Sequence, residues 1–189
     1  LSAASNRTIA SSSFGETPGY YLLKSEPSDF SIHDLEKAGE QEWDGVRNFQ
    51  ARNIMRTMNR GDRAFFYHSN CGKRVGIVGT VFITKEAHPD GTAYEDPSHK
   101  GYDSKSTTED CRWDAVSVRL DTVFPTTLTL KELKTQAKHN NILADMTLFR
   151  NSRLSVHQLT AEEWTAVEDL VDRKAAGENL LSQKASEND

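Results

Sequence analysis

The run Ala64-Phe65-Phe66-Tyr67-His68 and the stretch 75–84, joined by Asn70-Cys71-Gly72-Lys73-Arg74, restrict the fold more than any other part of the sequence. Aromatic and β-branched residues at this density suit pleated, half-buried strands, and a Gly-containing turn of this length joins two of them as a hairpin. Gly76 and Gly79 fall inside the second strand, where glycine marks a bulge or the close approach of another backbone. A curled, barrel-like sheet meets that demand better than a flat one.

Other strands are legible around the hairpin. Tyr20-Tyr21-Leu22-Leu23 reads as a buried strand that stops at Lys24-Ser25-Glu26-Pro27, because Pro27 has no N–H to donate and biases Glu26 toward extended geometry. In 113–124, Val116, Val118 and Leu120 alternate with Ser117, Arg119 and Asp121, the pattern of a half-buried strand. Leu148-Phe149 and Leu154-Ser155-Val156 read as short late strands.

Helices announce themselves by their caps. Ser31 with Asp34 opens a helix that runs to Ala38 and stops at Gly39. Thr129 with Glu132 and Thr160 with Glu163 are capping boxes, the second followed by the apolar face Trp164, Val167, Leu170 and Val171. Between them in interest lies Trp43-Asp44-Gly45-Val46-Arg47-Asn48-Phe49-Gln50-Ala51-Arg52-Asn53, a tight turn running into a helix. Ala51, Ile54, Met55 and Met58 form its apolar stripe, and Arg52, Arg56 and Arg60 recur on the other side. Its end is expected near Asn59-Arg60-Gly61. Five or six short strands with three or four small helices give an α+β or mainly-β small barrel.

At 189 residues the chain is most simply one domain with a real core. The start, Ser-rich and acid-free over residues 1–15, reads through residue 19 as a tail or the remnant of a transit peptide, leaving a mitochondrial address open. It begins on Leu1 rather than Met, as a trimmed, processed or partial chain would. Residues 173–189 read as a polar tail. The net charge of -5 excludes a general basic coat for nucleic acid, so any such contact needs a local patch. Cys71 and Cys111 match no disulfide framework or metal spacing, and no metal or cofactor is expected. No apolar run approaches the length of a membrane span. Residues 87–110 read as a long, mobile surface loop.

No phosphate-binding glycine loop, nucleophile elbow or helical His pair is present. Glu26, Asp44 and His68 make an acid–base set only if the fold converges them. Binding chemistry is better supplied. Trp43, Tyr67 and Trp113 offer π-faces, Ser25, Glu26 and Asn48 are types that read base edges, and Arg47, Arg52, Arg56, Lys73 and Arg74 suit phosphates. The structural alternative stays open: Trp43 as a core residue pinning the helix start and Asn48 as its N-cap.

Tyr20-Tyr21-Leu22-Leu23-Lys24-Ser25-Glu26-Pro27, the Trp43-to-Asn53 segment and Phe65-Phe66-Tyr67-His68-Ser69-Asn70 together resemble the EVE domain family. The resemblance covers about 20–172, with Trp113 and Arg153-Leu154-Ser155-Val156 in the expected order. It implies a PUA-like small mixed β-barrel with helices around it, similar to the YTH readers of methylated adenine. It also implies binding of a modified base, a modified cytosine in DNA or a modified base in RNA, with no established enzymatic activity, in a nuclear protein; the chain is expected to be a monomer. Carried over by position, Lys24, Ser25, Glu26, Trp43, Val46, Arg47, Asn48, Tyr67, His68 and Ser69 would form the base pocket. The loop 87–110 would partly cover it. The rivals are a nucleotide-processing enzyme using Glu26, Asp44 and His68, and a protein–protein adaptor acting through that loop.

Overall fold

Strands β1 (Tyr20–Ser25), β3 (Arg63–His68) and β4 (Gly76–Pro89) are the apolar runs of the sequence, and they form the centre of one sheet. The structure is a computed structural model that describes residues 18–182. With β2 (Glu40–Trp43), β5 (Asp114–Thr129) and β6 (Val156–Leu159), the sheet has the order β2-β5-β4-β3-β1-β6. β1 lies parallel to β3, and the remaining pairs are antiparallel. The helices are α1 (Ile32–Ala38), α2 (Phe49–Met55), α3 (Leu130–Ala137), α4 (Asn141–Ala144), α5 (Thr147–Arg150) and α6 (Ala161–Ala175).

Both faces of the central strands are covered, which is why they read as continuous apolar runs rather than as alternation. Tyr21, Leu23, Ala64 and Phe66 point to a core shared with Ile32 and Leu35 of α1 and Ala51 and Met55 of α2. Leu22, Phe65 and Tyr67 point the other way, to Leu133, Leu143, Leu148, Trp164 and Val167. Trp43 of one edge strand and Val156 of the other belong to the same core, so the sheet curls until its edges share an interior. α2 packs against both β5 and β6 and spans that gap.

The α+β architecture is as expected, but the barrel is open: β2 and β6 are the two ends of the strand order. Gly76 and Gly79 are close-approach positions. A Cβ on Gly79 would stand 2.2 Å from the Thr122 carbonyl oxygen and 2.3 Å from Ile32 Cδ1, and one on Gly76 would stand 2.3 Å from the Leu128 oxygen. The β4–β5 register shifts between Ile77 and Gly79. Ser31–Asp34, Thr129–Glu132 and Thr160–Glu163 are all formed capping boxes.

Several expectations need correction. β2 is a strand the sequence did not announce, because three of its four residues are exposed and only Trp43 is buried. α2 ends at Met55 rather than near Gly61. Thr57 and Met58 donate to Ile54 and Met55 in tighter turns, which still bury Met58. Leu148-Phe149 is helical, within α5, and the strand expected from Leu154 starts at Val156. Residues 87–89 continue β4. The loop beyond stays largely exposed, as expected of a surface loop, but buried Asp90, Ala93, Gly101 and Ser106 anchor it to the body. α6 extends to Ala175, and Leu180 is buried with its carbonyl accepting from Gln136 Nε2 at 2.7 Å, so the C-terminal segment is packed at least that far. Residues 1–17, which hold most of the expected N-terminal tail, and 183–189, the end of the expected C-terminal one, lie outside the described residues.

Candidate functional site

The site follows from strand register. Leu23 pairs with Val156 in β6 and Ser25 with His68 in β3, so the end of β1 lies between the segment entering β6 and the segment leaving β3. The Lys24 N–H donates to the Ser155 carbonyl at 2.9 Å, and the Ser69 N–H donates to the Ser25 carbonyl at 2.8 Å. A cleft of about 590 Å³ opens here, within the range of roughly 300–1,000 Å³ usual for small-ligand sites. Its walls are Lys24, Ser25 and Glu26, the segment 42–47, Ser69 and Asn70, His99 and Lys100, and residues 152, 153 and 155.

The apolar part of the lining is Phe30, Trp43 and Val46. Trp43 is only 5% exposed. Its ring meets Phe66 edge-on at 5.2 Å and Phe30 at 6.5 Å, so it supports the cleft from within the core. Over this floor stands a polar rim. Lys24 Nζ donates to the Ser152 carbonyl at 2.6 Å and lies 5.7 Å from the Tyr67 ring centre, and burial lowers its pKa. Ser25 Oγ donates to the Phe30 carbonyl at 2.7 Å. Asn70, in the left-handed region at φ 51°, donates from Nδ2 to Glu26 Oε2 at 3.0 Å.

Arg47 holds the rim together rather than projecting into it. Its guanidinium donates to Asp90 Oδ2 at 2.7 Å, to Thr92 Oγ1 at 3.0 Å and to the Gly101 carbonyl, and it lies over the Trp113 ring. Gly45, at φ +69°, turns its N–H to the same Asp90 oxygen at 2.9 Å. Burial alone would raise the Asp90 carboxyl. Hydrogen bonds from Thr92, Arg47 and Gly45 outweigh it and hold the group below the usual carboxylate range. These bonds, with the Lys100–Asp29 pair, bring His99 and Lys100 to the cleft. The loop 87–110 thus supplies one wall.

Asp44 differs from its neighbours. Its side chain reaches solvent at the cleft mouth, yet desolvation by the surrounding walls raises its pKa, with Asp90 and Glu42 adding to the effect. Arg153 is exposed at the opposite rim.

Seven of the ten expected pocket residues line the cleft: Lys24, Ser25, Glu26, Trp43, Val46, Arg47 and Ser69. Asn48, Tyr67 and His68 are not in the lining. Asn48 is the N-cap of α2, its Oδ1 accepting from the Ala51 N–H at 3.0 Å. Tyr67 belongs to the opposite core, where burial pushes its hydroxyl up to about 12. His68 Nε2 accepts from the Ile32 N–H at 3.1 Å, and burial, with His33 and Arg74, lowers its pKa. Glu26 and Asp44 therefore reach the cleft without His68.

Among the expected phosphate contacts, Arg56 pairs with Asp114, and Arg52 donates to the Arg112 carbonyl at 2.8 Å and to Asn53. Lys73 and Arg74 are exposed on the short 3-10 turn beyond Asn70. Sequence reasoning missed Asp29, Phe30, Glu42, His99, Lys100, Ser152, Arg153 and Ser155 as lining residues. The one local signal was Ser152-Arg153-Leu154-Ser155, a polar cluster directly before a strand. Among the described residues no group of His, Cys, Asp or Glu is placed to hold a metal ion, both cysteines are free, and no helix is long and apolar enough to cross a membrane.

Residues 19–170 match the EVE domain. The chain belongs to the EVE domain family. Mouse (Mus musculus) thymocyte nuclear protein 1 is 45% identical over 160 residues, covering 77% of this chain and 70% of the mouse protein. The human (Homo sapiens) protein is 39% identical over 170 residues, covering 82% of this chain and 75% of its own length. Among solved structures, a hypothetical protein from Leishmania major superposes with a TM-score of 0.78 at 40% identity, covering 84% of this chain and 98% of that one. Human THYN1 in complex with DNA containing 5-methylcytosine superposes with a TM-score of 0.76 at 38% identity, covering 82% and 98%. The open, curled sheet with helices on both faces is thus the PUA-like α+β fold of an EVE domain.

Proposed function

We propose that this EVE domain binds a nucleic acid through a single modified base, which enters the cleft at the end of β1. The observation that carries the reading is the cleft's construction: an apolar floor of Phe30, Trp43 and Val46 under a rim of mixed charge. That composition suits a planar, uncharged base with hydrogen-bonding edges better than a bare phosphate. The complex of human THYN1 with DNA containing 5-methylcytosine supports a modified cytosine as the first candidate.

Ser25, Glu26 and Asp44 are the edge-reading groups. A carboxylate accepts from the exocyclic amine of cytosine, and Asp44, exposed in the cleft lining, takes that role. Trp43 and Val46 give the base its apolar contact, and Lys24 and Arg153 face the sugar–phosphate. Arg47 acts indirectly, by fixing the wall. Extruding a base from a stack costs a few kcal/mol, so unpaired or mismatched positions are the preferred targets. The relatives' name supports a nuclear location.

The test is a fluorescence anisotropy screen at fixed salt, using short single-stranded and duplex DNA and RNA, each carrying one modified base. Selective binding of one modification names the ligand. Equal binding of all oligonucleotides, modified or plain, would refute the reading. The enzyme alternative would instead require turnover of a nucleoside that is lost in Glu26→Gln.

A further inference from the structure

Beside the cleft lies a second feature that base recognition in a pocket does not use. Phe49, the first residue of α2, is 47% exposed. Its ring stacks on Trp113, with centres 4.7 Å apart and planes 22° from parallel. The Arg52 guanidinium lies 4.8 Å from the Phe49 ring centre and that of Arg112 lies 5.4 Å away. Trp113 is itself fixed, with Nε1 donating to Asp103 Oδ2 at 2.7 Å. An exposed aromatic ring on a rigid aromatic base, flanked by two guanidinium groups, costs solvation and has no core to fill.

The charge pattern adds to this. The hydrogen bonds of the Arg52 guanidinium go to neutral groups, the Arg112 carbonyl and the Asn53 amide oxygen, so its charge is not neutralised there, whereas Arg112 is paired with Asp103 at 3.6 Å. Exposed rings with adjacent guanidinium groups are the chemistry that stacks nucleobases and meets the phosphates between them. The location fits as well. Arg47, in the cleft lining, lies 5.7 Å from the Trp113 ring centre, and Trp113 lies 4.7 Å from Phe49. Those two steps span at most about three base rises of ~3.4 Å.

We infer that Phe49 is a stacking platform for a nucleotide flanking the modified one on the same strand, with Arg52 on its phosphate. The inference rests on the cleft being the base site. It gives a protein of net negative charge a local cationic surface for the strand. It also makes recognition depend on a nucleotide on one side of the modified base, and not on the other.

The experiment uses three fluorescent single-stranded oligonucleotides: one with the modified base at the centre, and two with the flank removed on the 5′ or the 3′ side. Wild type, Phe49→Ala and Phe49→Leu are compared, with melting temperatures alongside. The Phe49→Leu variant keeps an apolar contact with Trp113 but presents no ring, so a loss of binding without a loss of folding is still readable. The expected result is that removing one particular flank weakens wild-type binding about tenfold or more, a typical effect for one stacked base. Both variants should lose a similar factor on the centred oligonucleotide and nothing further on the one lacking that flank. Arg52→Gln should lower the dependence of log affinity on log salt by about one. Variants that bind all three oligonucleotides as wild type does, or weaken all three equally, would overturn the platform while leaving the cleft reading intact. Wild type that binds a control oligonucleotide, with plain cytosine in place of a central 5-methylcytosine, as tightly as the modified one would overturn both.

Discussion

Arg47 donates from Nη1 to the Asp90 carboxylate at 2.7 Å, and Asp90 is fully buried. This pair, with the Gly45 N–H bond to the same carboxylate, joins the turn at Gly45 to the loop that carries His99 and Lys100, so two walls of the cleft share one buried anchor.

Removing Arg47 leaves a buried carboxylate without its countercharge. Arg47→Ala is expected to cost ~3–5 kcal/mol of stability, the usual penalty for breaking a buried pair from one side. Urea unfolding measures it, and a cost below about 1 kcal/mol would show the clamp to be dispensable. Because the Asp90 pKa is lowered in the folded state, its contribution is present above the ordinary carboxylate range. That contribution is lost as pH falls through the lowered value.

His157 sets a second, separate pH dependence. It is buried, with Nε2 at 3.0 Å from the Leu154 carbonyl and Nδ1 at 3.2 Å from Thr147 Oγ1. Burial, with the nearby Lys24 charge, lowers its pKa from 6.5 to about 4. The unfolded chain binds the proton first, so stability is full above pH 6.5 and falls as pH drops toward about 4. The loss amounts to about 3 kcal/mol. Unfolding free energies measured across that window should slope for wild type and flatten for His157→Gln. Parallel slopes would assign the loss elsewhere.

Gly79 tests the curled sheet. With a backbone oxygen 2.2 Å from any added Cβ, Gly79→Ala should destabilise by about 1–3 kcal/mol. A neutral effect in thermal unfolding would mean that β4 and β5 separate easily at this point.

The cleft makes a sharper demand, that binding and stability separate. Asp44→Asn and Arg153→Ala change exposed rim groups and should leave the melting temperature within a few degrees, while weakening binding of the modified oligonucleotide by about tenfold each. Trp43→Ala should instead cost ~3–5 kcal/mol of stability, as large-to-small core changes do. Its loss of binding would say little about stacking. Rim variants that bind as wild type would remove Asp44 and Arg153 from the site.

The elements legible in the sequence were those with local chemistry. Ser31, Asn48, Thr129 and Thr160 cap helices because a short polar side chain satisfies free N–H groups wherever it precedes an amphipathic turn. β1 and β3 were legible from β-prone apolar side chains. β2 was not, since an edge strand with one buried residue has no pattern to read, and α4 and α5, at four residues each, are too short for helical periodicity. The site divides the same way. Lys24, Ser25 and Glu26 and the Trp43–Arg47 turn were conspicuous by composition. Ser152, Arg153 and Ser155 reach the cleft only through the β1–β6 register, and His99 and Lys100 only through the contacts that Arg47 and Lys100 make. Such placement is long-range and leaves no local trace. Arg47 and Asn48 show the converse, residues of a binding type whose side chains hold the turn and cap the helix.

The most direct measurement is a ¹⁵N–¹H correlation titration of the protein with a short single strand carrying one 5-methylcytosine, beside the same strand with plain cytosine. The account predicts amide shifts concentrated at residues 24–26, 44–47, 69–70, 99–100 and 152–155, saturating at lower concentration for the modified strand. Shifts that are the same for both strands would contradict it. So would shifts that map instead to the smaller cleft of about 260 Å³ at Arg63, Thr80, Phe124 and Glu168.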